Sequence, residues 1–297
     1  MQPDARTVPR GSERALRREG PNLSLAALLA VLAALANAAQ AVISKGLTNR
    51  LPARQLIGVL YVCNAVILLP LAPFVTWRWS PTIVGLHLVS VGLMAVTAIA
   101  IWDMLEAGAA SATTTASALS PIPAAIGTAL LIPDTLRPIQ VVAAIVVTMA
   151  VLVALGDAFT PLGRRGTWLR VLGAAAGNGL LTVVTRVIGD EGVGLVETYV
   201  VRTALAAALF LVLFPPRDIP WAAAPRLFGR GLVVTSYFVL LILAAQQGSP
   251  VVVQTCLAAT PLLVLAWESW RLGRRPPTRI LLATVVVVAG VGLSLVL

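Results

Sequence analysis

A chain of 297 residues that is 58% hydrophobic and only 11% charged is not an ordinary soluble protein, because soluble domains carry about 25% charged residues. The net charge of +10 does not indicate a nucleic-acid partner, since the basic residues fall in short loops between apolar segments, where arginines at membrane edges account for them. The sequence also lacks a Walker-type phosphate loop, so we expect no nucleotide hydrolysis by this chain itself.

A basic tail comes first in the chain. Residues 1–22 hold five arginines and no apolar pattern, so we predict that this segment is disordered. Ten apolar stretches follow, each near the roughly 20 residues that a helix needs to cross a bilayer. They are too long for barrel strands and lack the alternation of such strands. We therefore predict an all-α polytopic membrane protein whose ten transmembrane helices span approximately 24–44, 56–76, 82–102, 108–131, 137–156, 167–186, 195–214, 229–246, 249–270 and 278–297.

Polar and special residues recur between the two halves at a displacement of 140 or 141 positions. The pairs are Asn37 and Asn178, Lys45 and Arg186, Gly108 and Gly248, and Pro121 and Pro261. With five helices per copy, the second copy enters the membrane in the opposite sense, which makes an inverted repeat with a pseudo-two-fold axis in the membrane plane. We predict a first repeat at 23–156, a linker at 157–166 and a second repeat at 167–297.

The loop charges leave the orientation of the chain in the membrane open. More arginines fall on the side away from the termini, and the positive-inside rule then favours termini on the outside. The basic tail resists being moved across the membrane, which favours the opposite orientation.

Asn37 and Asn178 lie well inside the first and sixth predicted helices. An unpaired amide in hydrocarbon is costly, so each must face the bundle interior or a wet cavity. We predict that both line a substrate cavity between the repeats. The alternative is a hydrogen bond that only joins neighbouring helices, worth about 0.6 kcal/mol.

Pro121 and Pro261 sit about midway along the fourth and ninth predicted helices. Proline there removes a backbone hydrogen bond and bends the helix, and the freed carbonyl must find a partner or line a cavity. We predict hinges that gate the translocation path. A fixed kink that improves packing is the alternative.

Four further side chains are candidates for contact with a solute. Thr114 and Gln254 offer uncharged hydrogen bonds on the fourth and ninth helices, although close packing of small residues is the alternative for the threonine. Trp102 and Tyr237 are suited to stacking on an apolar or planar ligand. For Trp102, which precedes Asp103, the alternative is an anchor at the membrane interface.

Few charged residues lie within the predicted helices. Glu268 is the best candidate for ion coupling, with an interfacial ion pair to Arg271 as the alternative. Arg202 is a candidate for contact with an anionic group of a substrate, and the alternative is that it reaches the interface or binds backbone carbonyls.

An intramembrane enzyme is not supported by the residues present. The one histidine, His87, lies on the apolar third helix without a serine-protease site, paired aspartates or a metal-ligand spacing beside it. We predict no catalytic residues, no metal and no cofactor.

The segment around Pro121 carries a recognisable pattern. Asp134 follows this proline by 13 positions, and the turn D-T-L-R-P-I-Q then leads into the fifth helix. The pattern resembles the EamA-type branch of the drug/metabolite transporter superfamily, which has glutamate where this chain has Asp134. In the second half Pro261 and the run 289–291 keep the family spacing, but Arg274 replaces the acid.

The resemblance covers about 24–297 and implies a ten-helix permease with a cavity formed by helices 1, 3, 4, 6, 8 and 9. Lys45 and Arg202 match basic positions that are common in the family repeat. We predict a secondary transporter that moves a small metabolite, an amino acid or a related compound, by alternating access.

We expect this transporter to export its substrate and to reside as a multi-pass protein in an inner or plasma membrane. Its expected partners are the substrate and the lipid bilayer, and a monomer suffices because both halves lie in one chain. A channel-like facilitator and a non-transporting membrane scaffold or sensor are the alternatives.

Overall fold

A computed structural model describes residues 23–48, 51–106, 110–132, 136–155, 165–217, 219–271, 273, 275 and 278–296. These residues form helices and short connections, and no strand occurs among them. The predicted basic tail, Asp134, Arg274 and most of the predicted linker lie outside the described residues.

Ten helical units follow one another along the described chain, two of them in two pieces. They are α1 (Leu23–Thr48), α2 (Ala53–Leu68, continued by a 3₁₀ helix at Leu69–Phe74), α3 (Pro81–Glu106), α4a (Ala110–Leu119), α4b (Pro121–Leu131), α5 (Pro138–Leu155), α6 (Arg165–Asp190), α7 (Leu195–Leu213), α8 (Ala224–Gln247, preceded by a 3₁₀ turn at Trp221–Ala223), α9a (Pro250–Leu257), α9b (Thr260–Arg271) and α10 (Thr278–Val296).

The all-α polytopic membrane architecture is confirmed. Within the described residues, eight helices are long and apolar enough to cross a membrane, and two shorter apolar helices lie at Thr115–Leu131 and Thr278–Leu293. Large apolar side chains cover the outside of the bundle, where lipid would contact them. Examples that are more than half exposed are Leu28, Leu88, Met149, Leu169, Val212 and Leu282.

Two helices differ from their predicted bounds in ways that affect the bundle interior. α8 begins at Ala224, five residues before the predicted start at 229, so that Arg230 lies in the second turn of the helix rather than at its very start. Pro225 occupies the first turn of α8, where its missing N–H costs nothing and its fixed φ favours the helix. α6 runs on to Asp190 rather than ending at 186, because Arg186 bonds Asp190 one turn later.

The two central prolines interrupt their helices rather than only bending them. α4a ends at Leu119 and α4b begins at Pro121, while α9a ends at Leu257 and α9b begins at Thr260, one residue before Pro261. Proline has no N–H for the carbonyl four residues earlier. The sequence predicted a bend in a continuous helix, and each helix instead contains a short turn.

The long helices pack in pairs that follow the sequence duplication. α1 packs along α8, and α3 packs along α6. α2 packs on α7, and α5 packs on α10. Exchanging each unit with the one five places away reproduces the same set of contacts. A pseudo-two-fold relation between the halves requires this pattern.

Small side chains allow the long helices to approach closely. Ala30 and Ala33 of α1 and Ala244 of α8 are fully buried in one cluster where these two helices meet. Close approach of this kind is how membrane helices gain packing energy when lipid is as apolar as the side chains. The polar centre of the bundle lies between the α1–α8 pair and the α3–α6 pair.

Candidate functional site

A cavity of about 120 Å³ lies where α1, α2, α3, α6 and α8 meet, and α4a and α9b each contribute one residue to its wall. We call it the central cavity. Its polar wall residues are Asn37, Gln40, Ser44, Asn64, Thr97, Ser117, Asn178, Arg230 and Thr260, and its aromatic ones are Tyr61, Trp102, Tyr237 and Phe238. No aspartate or glutamate occurs in this wall as the structure describes it.

Four of the side chains predicted to line a cavity share this one space: Asn37, Trp102, Asn178 and Tyr237. The two asparagines come from equivalent helices of the two halves. Asn37 Nδ2 donates to Thr260 Oγ1 at 3.3 Å, and its Oδ1 accepts a hydrogen bond from Gln40. Asn37 therefore both lines the cavity and ties α1 to the start of α9b.

Gln254 lies behind Asn178 and does not line the central cavity. Its side chain is only 2% exposed. Gln254 Nε2 donates to the backbone oxygen of Asn178 at 3.1 Å and also to Thr182 Oγ1. These bonds couple α9a to the segment of α6 that carries Asn178, so the contact of Gln254 with the cavity is indirect.

The breaks in α4 and α9 lie beside the central cavity. Ser117, four residues before Pro121, and Thr260, one residue before Pro261, both belong to the wall. Pro121 supplies no N–H for the carbonyl of Ser117. Both prolines are buried. The two predicted hinge positions, which come from opposite halves of the chain, thus lie within about one helical turn of residues that share the cavity wall with the asparagines.

Trp102 is one of the aromatic residues of the wall and is only 5% exposed. The rings of Tyr237 and Phe238 lie 5.0 Å apart. The neighbouring Asp103 turns away from the cavity and binds Arg54 Nε at 3.0 Å. Trp102 therefore faces the interior of the bundle rather than serving as an interfacial anchor.

Arg230 is a residue of the wall that the sequence analysis missed. Its guanidinium carbon lies 5.2 Å from the centre of the Trp102 ring, and its Nε donates to Ser44 Oγ at 2.8 Å. The side chain is buried, with 9% of the residue exposed. The predicted start of the eighth helix at 229 places Arg230 at the end of that helix, where an arginine is typical of a membrane edge. The signal that identifies it is Pro225, which marks a first helical turn one turn before Arg230.

Arg202 is buried elsewhere in the bundle and does not line the central cavity. It is 4% exposed, and its Nη1 donates to Thr185 Oγ1 at 2.7 Å. Its Nε and Nη2 have no hydrogen-bond partner among the described residues. It adjoins a space of about 10 Å³ beside Tyr199, large enough for about one water molecule.

Glu268 lies at the edge of the bundle, away from the central cavity. Its carboxylate is 3.7 Å from Lys45 Nζ, and both side chains are about half exposed, at 45% and 53%. The sequence spacing suggested an ion pair of Glu268 with Arg271. In the structure Glu268 is instead paired with Lys45 at the end of α1. Screening by solvent makes such a pair weak.

Two other predictions concern Thr114 and metal binding. Thr114 falls within α4a, but its side chain is outside the described residues. In the described ranges no three His, Cys, Asp or Glu side chains are close enough together to hold a metal ion.

Residues 167–296 match the model of the EamA-like transporter family. These bounds differ from the second predicted repeat by one residue. A crystal structure of another protein matches with a TM-score of 0.71 and 20% sequence identity, covering 91% of this chain and 96% of that chain. At that identity the likeness concerns the fold. No curated protein matches the sequence.

Proposed function

We propose that this chain, whose residues 167–296 match the EamA-like transporter family, exports a small metabolite, an amino acid or a related compound, by alternating access. The family makes it a membrane transporter of the drug/metabolite type. The observation that supports the finer proposal is the central cavity, whose wall joins equivalent asparagines from both halves to residues beside both helix breaks.

The size of the central cavity favours a small substrate. Pockets for drug-sized ligands have volumes of about 300–1,000 Å³, whereas this one has about 120 Å³. Asn37 and Asn178 offer amide donors and acceptors, while Trp102 and Tyr237 offer apolar faces. A compound with both a polar end and an apolar end fits this division of the wall.

The proposed mechanism moves the two halves, 23–156 and 167–297, against each other around the central cavity. The paired contacts of α1 with α8 and of α6 with α3 are the surfaces that slide or open. The breaks at Pro121 and Pro261 leave α4 and α9 in two pieces each, so that one piece can tilt without the other. Opposite pieces then close the cavity at opposite ends of the bundle.

The test is efflux from proteoliposomes that contain the purified full chain. The vesicles are loaded with an equimolar mixture of amino acids and their deaminated acids, and each released compound is quantified by mass spectrometry. A carrier releases one compound or a small related group, and the rate saturates as the internal concentration rises. Release of many solutes at rates that never saturate supports a channel, and release no faster than from protein-free vesicles supports a scaffold.

Variants connect the efflux to the central cavity. Asn178→Ala and Tyr237→Ala should each lower the rate at least tenfold while inserting normally, since both side chains line the cavity. Ser236→Ala is the matched control, because Ser236 precedes Tyr237 on α8 but is exposed, and its recorded hydrogen bond is to Leu232 O of its own helix. Wild-type rates in both cavity variants would place the transport path elsewhere.

A further inference from the structure

We propose that Arg230 binds the carboxylate of the transported molecule, so that the substrate is a small carboxylic acid whose acid group is joined to an apolar or planar group. The proposal rests on transport through the central cavity. It assigns a substrate class and a specificity-determining residue to that site.

The first observation is a buried positive charge without a counter-ion. Arg230 lines the central cavity, and the described wall contains no aspartate or glutamate. Asp103, the residue after Trp102, is paired with Arg54, and Glu268, at the edge of the bundle, is paired with Lys45. A buried guanidinium without an anion is costly, because desolvation is not offset by attraction. A carboxylate on the ligand supplies the missing charge.

The second observation is the way in which the guanidinium is held. Ser44 of α1 accepts a hydrogen bond from Nε at 2.8 Å, and the ring of Trp102 of α3 lies 5.2 Å from the guanidinium carbon. These two contacts restrain the plane of the group from two helices. The one recorded hydrogen bond of Arg230 among the described residues uses Nε, which leaves the Nη groups for a ligand. Two such N–H groups match the two oxygens of a carboxylate.

The third observation is an outer groove of about 620 Å³ whose wall contains both Arg230 and Arg226. The groove runs between the end of α1 and the start of α8. No acidic residue belongs to its described wall. Basic residues that line a cleft raise the local concentration of anions and repel cations. The groove on one side of Arg230 and the central cavity on the other therefore both favour a negatively charged ligand.

The other residues of the cavity wall determine which uncharged groups of the substrate fit. Tyr61, Tyr237 and Phe238 provide further apolar faces in the same wall as Trp102, and Asn37 and Asn178 provide neutral polar contacts. A single guanidinium balances one negative charge, which matches a carboxylate better than a phosphate dianion. An amine without an acid group would meet a like charge that no residue of the described wall offsets.

The test measures binding to the purified full chain with sets of compounds that share one carbon skeleton and differ in charge. One set is phenylacetate, phenylacetamide and 2-phenylethylamine, with phenyl phosphate as the phosphate arm; the other is 4-methylpentanoate and its amide and amine. Dissociation constants are obtained by isothermal titration calorimetry. A hydrogen bond to a charged group contributes about 1.5–3 kcal/mol, so the acid should bind about 10- to 150-fold more tightly than its amide, and the amine and phosphate more weakly than the acid.

The variant Arg230→Gln separates recognition from a purely structural role. It should lower the affinity for the acid to that for the amide, while the affinity for the amide changes less than threefold. Arg230→Lys, which keeps the charge but not the paired N–H groups, should retain part of the preference. Arg271→Gln removes an exposed arginine at the end of α9b and should leave the preference intact. If Arg230 only joined α8 to α1 through Ser44, Arg230→Gln would weaken acid and amide equally, and that result overturns the proposal.

If Arg230→Gln fails to fold, binding of these compounds to the wild-type protein still tests the proposal. Equal or tighter binding of an amide, amine or phosphate overturns the carboxylate class, and so does the failure of both acids to bind. The proposal that the protein is a transporter is tested separately from the proposal that Arg230 binds a carboxylate. An acid that binds but is not moved across proteoliposomes contradicts transport and supports recognition, whereas saturable movement of amines supports transport and contradicts recognition.

Discussion

The close approach of α6 to the break in α4 gives a strong prediction for Gly179→Ala. A Cβ atom at this position would lie 2.5 Å from the carbonyl oxygen of Ser120 and 2.9 Å from the backbone nitrogen of Ala124. Both are backbone atoms, one in the turn between α4a and α4b and one in α4b, so they cannot move aside as a flexible side chain can. Overpacking of this kind costs about 1–3 kcal/mol.

This cost has a measurable size in thermal unfolding. A change of 1 kcal/mol shifts the Tm of a chain of 150–250 residues by about 2–4 °C, so Gly179→Ala should have a Tm in detergent about 2–12 °C below that of the control variant Gly92→Ala. The neighbouring Asn178 lines the central cavity, and a displaced α6 should also lower the transport rate. Unfolding is followed by circular dichroism at 222 nm.

Gly92→Ala is the matched control for this experiment. Gly92 is also a glycine within a long helix, α3, but an added Cβ there meets nothing within 4 Å. Alanine is more favourable than glycine in a helix by about 1 kcal/mol, so the control should unfold at the wild-type temperature or slightly above it. If Gly179→Ala behaved like Gly92→Ala, the close packing of α6 against the α4 break would be wrong.

Three further predictions concern buried and exposed polar groups. Tyr199→Phe should lower stability by about 1–3 kcal/mol, because the Tyr199 hydroxyl contacts two buried polar groups; an unchanged denaturation curve would refute those bonds. Glu268→Gln should change stability by less than about 1 kcal/mol, since its pair with Lys45 is half exposed, and a larger loss in the same assay would show a role beyond that pair. Arg202→Met should be neutral or stabilising in thermal unfolding, because it removes a buried charge whose recorded hydrogen bond is to Thr185; a marked loss of stability would indicate a counter-ion for Arg202.

The helices were predictable from sequence because bilayer spanning depends on length and composition, which a single chain displays directly. Each of the ten predicted apolar stretches corresponds to a helical unit of the structure. The misplaced start of α8 arose because the basic residue Arg226 resembles a loop residue in a hydropathy pattern. A helix start depends on local backbone chemistry, and Pro225 carried that information.

The wall of the central cavity was predictable only in part. Intramembrane amides must face the interior, and Asn37 and Asn178 do so. The same argument predicted that Gln254 lines the cavity. Gln254 instead lies behind the wall, because it bonds the backbone of α6. Which interior surface a side chain faces depends on the rotation of its helix against its neighbours, and the apolar pattern of a buried helix does not determine that rotation.

Long-range pairings were not predictable from the sequence. Glu268 has Arg271 three residues later, a spacing that places two side chains on one helix face, yet its recorded partner is Lys45 on α1. Trp102 similarly joins Arg230 across two helices. Such contacts follow from tertiary packing of helices that are far apart in the chain.

Counterflow is the measurement that tests the central claim most directly. Proteoliposomes are loaded with a high concentration of the compound that leaves fastest in the efflux assay, and a trace of the same compound in labelled form is added outside. Alternating access predicts that the label transiently accumulates inside above its external concentration, and that Tyr237→Ala abolishes this accumulation while Ser236→Ala does not. A label that only equilibrates across the membrane, without an overshoot, would contradict the account.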